Sequence, residues 1–487
     1  MTSGAVPEQP IIIDLPNEAA TVALAEDIAA RLIPGDIVAL SGDLGAGKTT
    51  LARAIIRALA DDAFLEVPSP TFTLVQTYAT PRLAVAHFDL YRLGPDDLDE
   101  IGFDDAALNG AVLVEWPERA GDRLPAERLD VALAVAGSGR RATVSGGAQL
   151  MARFAQSRRA RALLDANGWA GAERRHLQGD ASTRSYERIR RGETSAVLMD
   201  WPPRGQLTEG DPRAKYRAHD ARIFAAVDAA LDDAGLSVPQ IYARDDGLVL
   251  MEDFGSEGVV VEGAPIAERY RVAVEALATL HNEPRMRDIP GHRLPQLTGD
   301  VLLAEIGIFA DFYAPYVTGT PLPQEAHAGL LDIWRALDTW LQSTEQSWVL
   351  FDVQSPNLFW LPERQGVRRI GFVDFQDMFV GPAAYDVASL CQDARVTVAP
   401  ELEETLVAHY LACRGAGLDA DSFRAAYAVT GTLRIAKILG AFARSAQGGN
   451  NRYISHLPRL RAYLVRHLRL AVLSPFALWY EKHLSSH

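Results

Sequence analysis

Apolar and polar positions follow two different periods along this chain. Ile11-Ile12-Ile13 and Ile37-Val38-Ala39-Leu40 are short β-type runs, and between them Ala19 to Leu32 has helical spacing, with Asn17 as its predicted N-cap. Thr50 to Ala60 places Leu51, Ile55, Ile56 and Leu59 on one helical face. Leu83 to Asp89 and Ala111-Val112-Leu113-Val114 read as further strands, the first ending in Asp89 and the second running into Glu115-Trp116-Pro117-Glu118. Glu66-Val67-Pro68-Ser69-Pro70-Thr71-Phe72 carries two prolines, which exclude a helix interior or central strand and predict a fixed loop before Leu74 to Tyr78. Further on, Glu187-Arg188-Ile189, Ser195 to Met199 and Leu248 to Met251 read as strands. The character changes between residues 135 and 160, where Gly137-Ser138-Gly139-Arg140-Arg141 and Gly146-Gly147 precede a basic cluster at Arg158, Arg159 and Arg161. This predicts a domain over 1–150, a linker over 151–170 and a second domain over 171–487. The basic cluster reads as a solvated helix face.

Length and composition narrow the class. At 487 residues, 48% hydrophobic and 23% charged, the chain has the makeup of a soluble globular protein with more than one core. No run is expected to span a membrane, and the first residues lack the layout of a signal peptide, so a cytoplasmic protein without membrane contact is expected. Cys391 and Cys413 are too few for a disulfide framework or a usual zinc site. Of the net charge of −15, the first 150 residues carry −11, from 11 basic and 22 acidic residues. Such a domain repels a phosphate backbone, and no direct nucleic-acid binding is expected of it.

The first candidate chemistry is Gly42-Asp43-Leu44-Gly45-Ala46-Gly47-Lys48-Thr49, a full G-x-x-x-x-G-K-T phosphate loop between a predicted strand and a predicted helix. Gly42, Gly45, Ala46 and Gly47 let backbone N–H groups turn toward phosphate oxygens, Lys48 reaches the terminal phosphates, and Thr49 offers a hydroxyl to Mg2+, with Thr50 in the turn that follows. The chain has only four lysines, which makes a chance match remote. Acids at strand ends beside such a loop suit Mg2+, which takes few protein oxygens. Asp89 is the candidate metal-facing acid, and Glu115 the candidate for a second place around the metal or for orienting the attacking water. The plain alternative for both is a solvated strand end or a helix cap. Trp116 is expected to be a packed aromatic. ATP and Mg2+ are the implied cofactors.

Together with Ser69-Pro70-Thr71-Phe72, His87-Phe88-Asp89-Leu90-Tyr91-Arg92-Leu93 and Glu115-Trp116-Pro117-Glu118, the loop resembles the TsaE family, small bacterial ATPases of tRNA threonylcarbamoyladenosine biosynthesis. The resemblance implies an α/β P-loop NTPase fold and subunits of the threonylcarbamoyltransferase complex as partners. Ser69, Thr71, Asp89 and Glu115 match family motif positions.

The second part carries its own pattern. Leu350-Phe351-Asp352-Val353-Gln354-Ser355-Pro356-Asn357-Leu358 precedes Gly371-Phe372-Val373-Asp374-Phe375-Gln376-Asp377. An Asp, an Asn five residues on and an Asp after a strand form the arrangement in which Asp352 is the base and Asn357 and Asp374 are metal ligands. Gly179-Asp180-Ala181-Ser182-Thr183-Arg184-Ser185-Tyr186 is a candidate hairpin tip over nucleotide phosphates, through Ser182, Thr183 and Arg184. This half resembles the aminoglycoside phosphotransferase superfamily, which implies an α+β, protein-kinase-like bilobal domain. Within that superfamily, Gly179 to Ser182, Val197-Leu198-Met199-Asp200-Trp201-Pro202-Pro203, Asp374 to Asp377, Tyr385-Asp386-Val387-Ala388-Ser389-Leu390 and Lys437-Ile438-Leu439-Gly440 resemble the kinases that phosphorylate N-acetylmuramate and N-acetylglucosamine at the anomeric hydroxyl. An amino sugar is the implied substrate.

Two departures stand out. Leu350 occupies the superfamily's His position, and the strand that normally carries an ATP-phosphate lysine reads Val197-Leu198-Met199-Asp200, which leaves Mg2+, Arg184 or Lys215 to neutralise phosphate. Asp386 is expected to hold the catalytic loop by hydrogen bonds, His281 to fix a helix end, and Trp334, Trp340, Trp348 and Trp360 to be core. The alternatives for this half are a degenerate kinase scaffold, or a kinase for an aminoglycoside, choline or another alcohol.

Overall fold

The computed structural model describes residues 9–177, 184–201, 220–283 and 286–484. It divides into two compact units, Met1–Asp200 with Tyr242–Leu250, and Trp201–Ile241 with Met251–His487.

In the first unit a seven-stranded sheet has the order β1 (Ile11–Leu15), β7 (Gly139–Gly146), β6 (Leu129–Ala136), β2 (Ile37–Ser41), β5 (Gly110–Glu115), β4 (Ala84–Asp89), β3 (Val75–Tyr78). β2 runs parallel to β5 and β6, and β4 parallel to β5. Parallel strands buried on both faces read as unbroken apolar runs, and β2 and β5 do. α1 (Glu18–Ala29), capped by Asn17, packs with α2 (Lys48–Ala60) over one face. α3 (Phe103–Asn109) closes the other face through Phe103 against Phe88. The β4–β5 register sets Asp89 beside Glu115, and the β2–β5 register sets Leu40 beside Glu115, so both acids stand next to the loop that leaves β2.

The segment expected to be a linker is regular structure. Gly139 opens β7, which pairs with β6 and β1, and a Cβ there would sit 2.5 Å from the Leu15 carbonyl oxygen. Its glycine serves close strand approach, which composition alone does not separate from flexibility. α4 (Ala148–Ala166) then runs through most of 151–170. Its first half buries Leu150, Met151 and Phe154 in the α1–α2 core, and its second half buries Ala160 and Leu164 against a five-stranded sheet. That sheet has the order β11 (Ile241–Asp245), β12 (Leu248–Glu252), β10 (Thr194–Asp200), β9 (Ser185–Arg191), β8 (Glu173–Leu177). Arg158 and Arg161 do not simply face solvent: both pair with the buried Asp27, because α4 lies along α1.

The second unit is mostly helical, with α5 (Ala221–Asp233), α6 (Ala267–Asn282), α7 (Gly299–Ile308), α8 (Ala314–Thr318), α9 (Gln324–Leu341), α10 (Ala384–Cys391), α11 (Pro400–Arg414), α12 (Ala420–Gln447), α13 (Leu457–His467) and α14 (Ser474–Leu484). Short ladders pair β13 (Val260–Val261) with β14 (Ala264–Pro265), β15 (Asp288–Ile289) with β16 (His292–Arg293), β17 (Gln346–Val349) with β20 (Phe379–Pro382), and β18 (Leu358–Trp360) with β19 (Ile370–Phe372). α12 is buried on nearly all sides from Ala426 to Ala436. It approaches α7 so closely that a Cβ on Gly440 would sit 2.5 Å from the Ile308 carbonyl oxygen. Contrary to the expectation that no run comes near a membrane span, Gly299–Thr318 has the length and, at 1.3, the mean hydropathy of one. Half of that stretch is buried within the unit, as befits a core helix apolar on most sides. Trp334, Trp348 and Trp360 are buried and Trp340 is half-buried.

His467 ends α13 between Gln392 (2.7 Å) and Thr432 (3.0 Å), and burial holds its pKa down at about 4. The unfolded chain, with an ordinary histidine near 6.5, binds the extra proton first, so this group's contribution is complete above pH 6.5 and is lost as pH falls toward 4. Urea midpoints measured from pH 7 to 4 are expected to show this loss, on the order of 3 kcal/mol, and His467→Gln is expected to flatten that limb.

Candidate active sites

Beyond β2 the chain turns through Gly42, where a φ of +133° and the adjacent Leu133 carbonyl oxygen admit only glycine. Ala46 packs into the core, and α2 begins at Lys48. Lys48 Nζ donates to the carbonyl oxygens of Gly42 (2.6 Å) and Asp43 (3.0 Å) and lies 3.6 Å from the centroid of the Trp116 ring. Burial lowers the Lys48 pKa, with Glu115, Glu118 and Asp89 opposing. Trp116 itself has a φ of +61°, so the packed aromatic expected here is a strained one that carries the lysine.

Asp89 and Glu115 are 4% and 2% exposed, so neither is a solvated strand end. A carboxylate buried this far needs donors. Glu115 accepts from Thr49 Oγ1 and His87 Nε2, both at 2.9 Å. Asp89 accepts from Thr71 Oγ1 (2.8 Å) and the Tyr91 N–H (3.0 Å), and Thr71 is hydrogen-bonded to Ser69 (2.8 Å). Gly45, Gly47, Lys48, Thr49, Thr50, Asp89 and Glu115 share the lining of one cavity of about 360 Å3. The hydroxyl of Thr49 and the two carboxylates form an all-oxygen donor set of the kind Mg2+ takes.

Two residues here escaped the sequence reading. His87 stands two positions before Asp89 on β4, so strand alternation puts both on one face toward Glu115, and that period was its signal. Arg140, in the β6–β7 hairpin, donates to the carbonyl oxygens of Ala46 (3.1 Å) and Gly45 (3.2 Å), and nothing local in the sequence marks it as a brace for the loop.

In the second unit β17 leads into Leu350-Phe351-Asp352. Phe351 has a φ of +77°, held by Asp386, whose carboxylate accepts the Leu350 N–H (2.6 Å) and the Phe351 N–H (3.0 Å). The Phe351 ring also stacks on Tyr385, with centroids 5.6 Å apart. Asp386 is wholly buried, and burial pushes its carboxyl up to about 7 against the pull of those two N–H groups. The side chain of Leu350 is core, and the loop-shaping bond is made by its N–H instead. Asn357 Nδ2 donates to the Asp352 carbonyl oxygen (2.9 Å), and the Asn357 carbonyl oxygen accepts the Val373 N–H (3.0 Å). Asp374, at φ +62°, accepts from Gln376 Nε2 (2.9 Å). Asn357 thus joins the Asp352 backbone and Val373, the residue before Asp374, and Asn357 and Asp374 again bring only oxygen ligands to a metal once the Asn357 amide nitrogen is engaged. Burial raises the Asp352 pKa, Asp374 adds to the rise, and Lys437 and Arg434 oppose it. Lys437 lies 3.9 Å from the Phe351 ring centroid and 3.5 Å from Glu305.

Ser182, Thr183 and Lys215 lie outside the described residues, while Arg184 precedes β9 and is half-buried. His281, at the end of α6, is buried and hydrogen-bonded to Tyr410 (2.7 Å), which ties α6 to α11.

Two family models match the chain: Threonylcarbamoyl adenosine biosynthesis protein TsaE over residues 15–143, and the Phosphotransferase enzyme family over residues 173–424. An N-acetylmuramate/N-acetylglucosamine kinase of Caulobacter vibrioides is 33% identical over 346 residues, 66% of this chain and 95% of that protein. The tRNA threonylcarbamoyladenosine biosynthesis protein TsaE of Rickettsia bellii is 41% identical over 120 residues, 24% of this chain and 83% of that protein. Its counterpart in Rickettsia felis is 46% identical over 105 residues, 21% of this chain and 61% of that protein. With a phosphate loop in one match and a kinase-type Asp-Asn-Asp network in the other, the chain belongs to the phosphotransferase enzyme family and carries a TsaE-family P-loop ATPase domain ahead of it.

Proposed function

We propose that the chain is bifunctional. The TsaE-family part hydrolyses ATP in support of tRNA threonylcarbamoyladenosine formation, acting with subunits of the threonylcarbamoyltransferase complex. The phosphotransferase part moves the terminal phosphoryl group of ATP to the anomeric C1 hydroxyl of N-acetylmuramate or N-acetylglucosamine. The observation that carries the second assignment is the pair of hydrogen bonds by which Asn357 joins Asp352 and Val373, the residue before Asp374, in a chain 33% identical to a kinase of those sugars.

In the phosphotransferase, Asp352 accepts the proton of the attacking hydroxyl, and Asp386 fixes the backbone on which Asp352 stands. Asn357 and Asp374 would hold Mg2+, which supplies charge neutralisation on the phosphate oxygens when bound. In the P-loop part, Lys48 exchanges its carbonyl partners for phosphate oxygens, Thr49 and Asp89 would hold Mg2+, and Glu115, oriented by His87, positions the attacking water.

Purified full-length protein given ATP, Mg2+ and a panel of N-acetylmuramate, N-acetylglucosamine, an aminoglycoside and choline is expected to yield a sugar 1-phosphate. Transfer only to another alcohol would replace the acceptor, and transfer to none would sink the assignment. Asp352→Ala is expected to abolish transfer while sugar-independent ATP hydrolysis persists, and Lys48→Ala to do the reverse. Asp386→Ala leaves two buried N–H groups without their acceptor, at roughly 1–3 kcal/mol each. Steady-state kinetics are expected to show kcat for transfer falling about 100-fold, since a loop displaced by an ångström loses that much.

A further inference from the structure

The loop that carries Asp352 and Asn357 is held near both ends by carboxylates from one stretch of the second unit. Asp386, on α10, accepts the N–H groups of Leu350 and Phe351, just ahead of Asp352. Asp393, two residues past the end of α10, has none of its surface exposed. An acid at that place faces the negative end of the helix dipole, and a carboxylate wholly out of water needs donors. Two backbone N–H groups supply them, Ser355 to Oδ2 (2.6 Å) and Arg395 to Oδ1 (2.7 Å). Ser355 opens the short helical turn Ser355–Asn357, which the Asn357 N–H closes on the Gln354 carbonyl oxygen (2.9 Å). Holding the Ser355 N–H therefore fixes the turn from which the Asn357 side chain leaves, with its amide nitrogen on the Asp352 carbonyl oxygen (2.9 Å) and its own oxygen free to meet a metal. Asp393 is in turn immobilised through its neighbour. Gln392 Nε2 is hydrogen-bonded to Glu403 (2.8 Å) and His467 (2.7 Å), and the Gln392 carbonyl oxygen accepts from Arg434 (3.3 Å), so α11, α12 and α13 all bear on the backbone that presents Asp393.

We infer that Asp393 is a positioning residue for the phosphotransferase: through the Ser355 N–H it sets the Asn357 end of the loop, as Asp386 sets the end that bears Asp352. The two carboxylates divide the work. Loss of Asp393 is felt first as a weaker hold on Mg2+ and loss of Asp386 as slower transfer, because groups that orient a metal ligand act on metal affinity. The inference rests on the kinase reading, and the same assay separates the two. A wild-type chain that transfers phosphate to no acceptor overturns the reading, and a wild-type chain that transfers while Asp393 is dispensable overturns the inference alone.

The test uses the full chain. Asp393→Asn keeps the shape of the side chain but turns an amide NH2 on one of the two N–H donors. With ATP and sugar saturating, it is expected to raise the free Mg2+ needed for half-maximal transfer roughly 10-fold, with kcat at saturating Mg2+ within about 3-fold. Asp386→Ala is expected to lower kcat and leave that Mg2+ requirement within about 2-fold, and Lys48-dependent ATP hydrolysis without sugar is expected to keep its Mg2+ dependence in both variants. Amide hydrogen exchange, read without metal or nucleotide, gives a second measure. In the wild-type chain the Ser355 amide is expected to exchange as slowly as those of Leu350 and Phe351, and in Asp393→Asn to exchange about 10-fold faster while those two do not change. The wild-type half of that measurement carries the test if Asp393→Asn does not fold, and a freely exchanging Ser355 amide overturns the inference. So does a Mg2+ requirement in Asp393→Asn within about 2-fold of wild type, including one accompanied by a joint loss of kcat and thermal stability, which is what a merely structural residue gives.

Discussion

A carboxylate taken fully out of water must be met by positive charge, and Asp27 sets that requirement for the first unit. It sits on α1 with none of its surface exposed, and Arg158 and Arg161 of α4 and Arg174 of β8 all close on it. Removing one partner from such a cluster costs about 3–5 kcal/mol, several times what an exposed pair such as Arg141–Asp14 contributes. The three arginines come from one helix and one strand, so satisfying Asp27 fixes how α1, α4 and the edge of the five-stranded sheet lie together. The apolar core then follows the same path, since α4 buries its first half with α1 and α2 and its second half under β9, β10 and β12.

The two sites are built on a second constraint, the strained backbone. Of the six described non-glycine residues with positive φ, Trp116, Phe351 and Asp374 stand at the two sites. Such conformations cost of order 1–3 kcal/mol and persist only where neighbours over-determine them. At Phe351 the neighbours are the two oxygens of Asp386 and the stacked Tyr385 ring. At Trp116 the N–H bonds the Leu40 carbonyl oxygen (3.3 Å), so the turn after β5 is tied to the strand that launches the phosphate loop. In both cases the strain turns a side chain toward a cation, Lys48 over Trp116 and Lys437 over Phe351.

What the sequence made legible was what is local in it. The phosphate loop is eight consecutive residues, Asp89 and Glu115 stand at the ends of apolar runs, and Asp352 and Asn357 are five apart on one loop. These chemistries need no knowledge of packing. Asp27, Arg31 and Arg174 were not legible, because Asp27 and Arg31 meet partners 131 to 169 residues away and a buried arginine looks the same in a composition count as a surface one. The basic run at 158–161 was misread for that reason. Gly139 is ambiguous in sequence for another reason: a residue that permits a flexible tether also permits two backbones to touch, and only the position of Leu15 decides between them.

The missing lysine of β10 becomes intelligible in the same terms. Leu198 and Met199 are fully buried and Asp200 is engaged by Arg31 and Gln156, so this stretch of strand is given over to packing and to the buried charge network. A lysine at 198, opposite Glu187 in the β9–β10 register, would add a cation on the face where Arg31 and Arg174 meet Glu187, and mutual repulsion already acts on Arg82, whose pKa burial and its arginine neighbours bring down to about 10. Positive charge around Asp352 is instead delivered within the second unit by α12, where Lys437 is held between Glu305 and the Phe351 ring and Arg434 is buried against the Gln392 carbonyl oxygen. Lys437 and Arg434 stand one turn apart on α12, and both oppose the rise in the Asp352 pKa that burial imposes, so the helix that forms the middle of the second unit also sets the electrostatics of its site.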